Sequence, residues 1–282
     1  MLVRFSLSRW KPACLIAAAV VVSATLPVPA MTIQVIEMTC PYDGTKFKFE
    51  AQGSGTAFDK ALDWMPMGAI QSPWPLAVCP TNGFVFLRNE YDPGELDRLR
   101  PLVLSAEYQA LKDETAYYRA AWLMERTGAS REEVTMLLLQ ATWEAGQSEF
   151  KARYAARLAA QQGTRPQASG NLGQQENLFY AVLAEGTTSD RYKRYAGELL
   201  GRLTTDVASR GEATRTEYNL LIGELLRRLE RFGEAESHFA AVSAALQADG
   251  NTARLVEFER QLVAKRDIGI HMMSKALPRT RQ

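Results

Sequence analysis

The chain has 282 residues, with 33 Lys and Arg against 32 Asp and Glu, and 46 % of it is hydrophobic. A net charge of +1 argues against a partner held by a basic field, whether nucleic acid or an anionic membrane surface. The length allows one sizeable core or two domains.

The first thirty residues read as a secretory signal peptide: Arg4, Arg9 and Lys11, an apolar run over Cys14–Leu26, then Val28-Pro29-Ala30 as a small-x-small cleavage site. The run is shorter than the roughly 20 residues of a membrane-spanning helix, although an uncleaved anchor remains an alternative. Cys14 opens the run, whereas a lipidated cysteine follows one. Cleavage leaves 30 basic residues against 32 acidic ones and two cysteines, Cys40 and Cys79, in an oxidising compartment. The expected product is periplasmic or secreted, with no membrane span after cleavage.

Residues 31–100 are rich in Pro and Gly and their apolar residues alternate. Thr32–Met38 and Lys46–Glu50 have the period of strands, as do Pro75–Cys79 and Phe84–Arg88. Each pair is joined by the same pattern, C-P-x-[D/N]-G-x-x-F, at Cys40–Phe47 and again at Cys79–Phe86. Proline fixes the start of such a turn, and glycine supplies the positive φ that closes it. The insert between the hairpins carries Trp64, Met65, Met67 and Trp74. It is expected to cover the open face of a small sheet, with a ligand-binding aromatic patch as the alternative.

Residues 101–268 read as helical. One helix is expected over Leu104–Arg126 and another from Ser130, where Glu133 completes a capping box, to about Ala160. Gln161–Gln175 is polar and reads as a flexible connector. Helices are expected over Asn177–Ala184, Asp190–Leu203, Thr214–Leu229, Gly233–Gln247 and Thr252–Lys265, and residues 269–282 as a flexible basic tail. Tyr218, Gly223, Ala235 and Phe239 carry the tetratricopeptide spacing, in which small residues let two helices approach and large ones fill the groove.

A doubled C-P-x-x-G knuckle followed by tetratricopeptide-like helices resembles a bacterial family of unknown function, in which two C-P-x-C-G knuckles precede a helical repeat region. The resemblance covers Thr39 to about Leu246. It implies a mainly α fold with a small zinc-ribbon-like β module and attaches no activity. Asp43 and Asn82 stand where that family has ligand cysteines. Structural zinc takes four ligands, usually thiolate or imidazole, so Cys40, Asp43 and Cys79 are a weak zinc set. A zinc ribbon brings the first cysteine of each knuckle to one centre, and the expected outcome is therefore a Cys40–Cys79 disulfide in place of the metal, with no cofactor. Closing a loop of about 40 residues stabilises by roughly 4 kcal/mol on the chain-entropy account.

No Ser-His-Asp set, nucleophile elbow, phosphate-binding glycine loop or H-E-x-x-H helix occurs. His238 and His271 read as structural, and Asp59 and Asp63, four apart in the insert, are the best placed acid/base pair. The expected function is a non-catalytic scaffold whose helical repeats bind a protein or peptide, with Tyr117, Tyr118, Trp122 and Trp143 as candidate groove residues. The alternative is a metal-handling protein or enzyme with a site in the β module, where the insert meets Asp43 and Asn82.

Overall fold

The computed structural model describes residues 31–163, 172–245 and 250–277. The expected signal peptide, most of the expected connector and the last five residues lie outside the described residues. The fold is mainly α with a small β module, as the sequence implies.

Three separate antiparallel hairpins make the module: β1 (Thr32–Thr39) with β2 (Lys46–Ser54), β3 (Thr56–Lys60) with β4 (Pro66–Ala69), and β5 (Ala77–Val78) with β6 (Val85–Phe86). The first and third are the expected strand pairs, although β5 and β6 are only two residues each. The insert does not cover their sheet. It forms a hairpin of its own, and Met65 and Met67 are buried with Ala61, Leu183 and Met272, against Phe150 and Phe179. Trp64 packs on the main helical core, and Trp74 stays 48 % exposed.

Nine helices follow among the described residues: α1 (Pro93–Val103), α2 (Ala106–Gln109), α3 (Ala116–Arg126), α4 (Arg131–Gly163), α5 (Leu172–Ala184), α6 (Asp190–Asp206), α7 (Glu212–Arg228), α8 (Phe232–Ala245) and α9 (Gly250–Ala264). The single helix expected over Leu104–Arg126 is two. Ser105 caps α2 by accepting from the Tyr108 amide, and Thr115 caps α3 by accepting from the Tyr118 amide, so the backbone restarts twice. The Ser130–Glu133 box opens α4 as read, the Glu133 amide donating to Ser130 Oγ at 3.2 Å. The expected domain boundary at residue 100 falls inside α1, whose capping box at Asp92 and Glu95 lies in the module's half of the sequence.

The main core joins α3, α4, α6, α7, α8 and α9. The repeat spacing is realised as a close approach: a Cβ on Gly223 would lie 2.1 Å from the Phe239 ring. Only glycine admits that ring, and Tyr218, Ala235 and Phe239 are all buried around it.

The expected flexible tail is corrected over residues 269–277. Ile270 donates its amide to Leu183 O, Leu62 donates to His271 O at 2.9 Å, and Met272 pairs with Ala61 as an isolated β-bridge. Ile270 and Met272 turn their apolar side chains into the cluster beneath β3 and β4, which is what orders a segment so close to a terminus.

Candidate functional site

The two knuckle turns are copies of one another down to their hydrogen bonds. Cys40 donates its amide to Thr45 O and Gly44 donates back to Cys40 O; Cys79 and Gly83 do the same with Phe84 and Cys79. Gly44 and Gly83 both sit near φ +72°, the left-handed region that admits glycine freely. Asp43 Oδ1 accepts from the Thr45 amide at 2.9 Å, and Asn82 Oδ1 from the Phe84 amide at 3.0 Å. Asp43 and Asn82 are thus turn-closing acceptors.

Cys40 and Cys79 are joined by a disulfide, with Cα atoms 5.5 Å apart and both residues buried. Thr81 Oγ1 lies 3.1 Å from Cys79 Sγ and 3.8 Å from Cys40 Sγ, and donates to Asp43 Oδ2 at 2.5 Å. That bond, with the Thr45 amide, holds the exposed Asp43 carboxyl below its usual range. The ligand atoms of Cys40, Asp43 and Cys79 stay within 4.8 Å of one another. Zinc coordination does not fit them as they stand. Tetrahedral zinc takes four donors and binds thiolates, whereas these sulfurs are bonded to each other and the Thr81 hydroxyl lies between them and the carboxylate.

The helices grip the second turn by its carbonyls. Gln109 Nε2 donates to Asn82 O at 2.8 Å, Tyr108 Oη to Gly83 O at 2.8 Å, and Arg119 Nη2 also donates to Gly83 O. Burial pushes the Tyr108 hydroxyl up to about 12, so it stays a donor at every physiological pH. Tyr42, Phe84, Phe86 and Tyr91 contribute edge-to-face ring contacts beside the disulfide.

The four candidate groove aromatics occupy intramolecular positions. Tyr117 donates its hydroxyl to Trp74 O at 2.7 Å, and Trp143 its indole N–H to Asp63 O at 3.2 Å, so both tie the β module to the helices. Tyr118 stacks on Tyr195 at 4.2 Å and donates to Glu198. Trp122 packs on Tyr108, with the Arg126 guanidinium 3.6 Å above its ring. They do not converge on one surface. Asp43 and Asn82 lie at the disulfide, while Met65 and Met67 of the insert pack in another cluster.

Asp59 and Asp63 also part company. Asp59 Oδ1 accepts from the Lys60 amide, whereas Asp63 is buried and paired with Arg228 Nη1 at 2.9 Å. Arg228 also donates to Thr187 Oγ1 at 2.6 Å and lies over the Tyr192 ring. Its neighbour Arg227 reaches Glu224 at 2.6 Å, Glu259 at 3.2 Å and the carbonyls of Asp267 and Gly269. Three buried carboxyls face two buried guanidiniums. Burial, and then the adjacent Glu224, raises Glu259 well above the usual carboxyl value, which favours its protonated form beside Glu224 and Arg227. Sequence reasoning passed over it. The signal was Glu224, Arg227 and Arg228 standing within the run Leu220–Leu229.

One open groove, of about 510 Å³, lies between α3 and α6 and the start of α4, lined by Glu125, Arg131, Glu198, Gly201, Arg202 and Thr205. Arg202 pairs with Glu125 across it at 2.5 Å, and Arg131 with Asp206 at 2.8 Å. Side chains added at Gly197 or Gly201 would meet nothing within 4 Å. No family model, curated protein or solved structure matches this chain.

Proposed function

We propose that this protein is an exported, non-catalytic interaction scaffold whose stacked helices receive a protein or peptide segment, in keeping with the resemblance to a knuckle-plus-repeat bacterial family. The groove between α3 and α6 carries the reading. It is walled by two helices packed across the same helix, α4, as the inner helices of a repeat array are. Gly201 in its lining leaves open space where a side chain would stand, and its other lining residues offer both signs of charge. The sequence motifs supply no catalytic set, and the buried titratable groups serve the fold. No helix among the described residues is long and apolar enough to cross a membrane. Export to the periplasm or beyond rests on the leader and on the Cys40–Cys79 disulfide.

The test is capture from envelope extract with the wild-type protein and with Gly201→Arg, which fills the groove without entering the core. A protein held by the wild type and lost with the variant is expected. Identical capture by the two baits overturns the groove as the binding site.

A further inference from the structure

The β1–β2 ribbon is a sheet of two strands only, and the outer edge of β1 pairs with no strand among the described residues. β1 is eight residues long, beyond the common strand length of about 5–6. Its backbone donors and acceptors on that edge form a ready template for another strand. Edges are normally blunted by Lys, Pro, Gly or a bulge, and β2 does carry Lys46, Lys48 and Glu50. β1 itself carries no Lys or Pro, and the one register irregularity of the ribbon falls at its start, between Thr32 and Ile33, where β2 has the extra residue Gly53. Its one charge, Glu37, is paired with Lys46 at 3.1 Å. Ile33, Val35 and Ile36 are 48 %, 61 % and 37 % exposed, three of the large apolar side chains most open to water. A two-stranded ribbon is marginal in water, and a third strand secures it.

We propose that β1 is the interface to a second copy of this chain, pairing antiparallel with its own equivalent about a two-fold axis at Val35 to make a four-stranded sheet β2–β1–β1–β2. A two-fold axis normal to the sheet keeps each side chain on its face, so odd-numbered residues lie opposite odd-numbered ones. Val35 then lies opposite Val35 of the second copy, Gln34 opposite Ile36, and Ile33 opposite Glu37. No two like charges oppose one another across the new pair, and Glu37 keeps Lys46 and its cross-strand neighbour Lys48. An electrically silent edge with apolar side chains fits itself better than it fits a charged partner. The most exposed residue of the strand lands on the axis.

The full chain, expressed with its own leader, is the material for sedimentation equilibrium across a range of concentrations. A reversible dimer is expected. Val35→Lys sets two ammonium groups against each other on the axis and weakens dimerisation by roughly tenfold or more, with circular dichroism and thermal midpoint unchanged. Val35→Cys gives a dimer cross-linked through residue 35 under mild oxidation, because opposed Cα atoms about 4.5–5.5 Å apart lie within disulfide reach. Glu50→Cys on β2 does not. A wild-type monomer at every concentration, a dimer insensitive to Val35→Lys, or equal cross-linking from residues 35 and 50 overturns the proposal.

Discussion

The knuckle pair and the Arg227–Arg228 cluster both join parts of the chain that are far apart in sequence, by opposite physical means. At the knuckles a covalent bond links positions 39 apart, and the polar side chains around it, Asp43 and Thr81, remain exposed. In the cluster an ion pair links Asp63 to Arg228 across 165 positions, and both partners are buried, as are Glu224, Arg227 and Glu259. A disulfide acts mainly by restricting the unfolded chain. A buried ion pair acts only in the folded state, and its desolvation offsets much of its attraction. The first junction therefore tolerates change in its surroundings, whereas the second fails when either partner is removed.

Arg228→Ala gives the largest expected effect. It leaves Asp63 buried without its counter-charge and costs about 3–5 kcal/mol in urea denaturation. Asp63→Leu combined with Arg228→Met recovers most of that loss, because the penalty lies in the stranded charge. Reducing the disulfide, or Cys40→Ala with Cys79→Ala, lowers stability by about 4 kcal/mol; a loss near zero would mean that the two turns hold one another without it. Gly223→Ala drives a methyl into the Phe239 ring and destabilises by about 1–3 kcal/mol, while Gly201→Ala, facing open space, does not.

The pH response separates the two junctions by a smaller margin. Glu259 is raised by burial and by Glu224 beside it, so the folded protein holds a proton that the unfolded chain releases above 4.5. Its contribution is whole below that pH and is lost as pH rises toward the folded value, at about 1.4 kcal/mol per pH unit per proton. The groups facing it are Glu224 and Arg227, with Asp267 and Arg228 one contact further. Glu259→Gln, which keeps a neutral side chain there, flattens the slope in denaturation measured from pH 5 to 9. A slope unchanged by that substitution would place the proton elsewhere. Smallest of all is Tyr117→Phe, which removes the bond to Trp74 O and costs about 1 kcal/mol.

Local chemistry made the knuckles readable from sequence. Pro41 and Pro80 start the turns, Gly44 and Gly83 close them, and Asp43 and Asn82 bond within two residues, so nothing distant was needed. The Ser130 box and the Gly223–Phe239 approach were legible for the same reason: their partners lie at fixed short spacings. The break between α2 and α3 was hidden because Ser105 and Thr115 fit a helix interior as well as a cap until the backbone turns. The β3–β4 hairpin was missed because its buried residues, Met65 and Met67, face helices that come some 80 residues later or more. Arg228 stands beside Arg227 in sequence, and nothing near it in the chain marks it as buried. Its partner is a single aspartate in a distant hairpin, which no spacing rule reaches.

The bridge between Ala61 and Met272 sets an order in time. A chain is made from its N-terminus, and about 210 residues separate Leu62 from Met272, so on the order of 10–40 s pass between them at about 5–20 residues per second. Through that interval the β3–β4 hairpin lacks its last backbone partner, and Asp63 waits for Arg228 until most of the chain has been made. A chain cut before His271 would thus damage the module that was translated first.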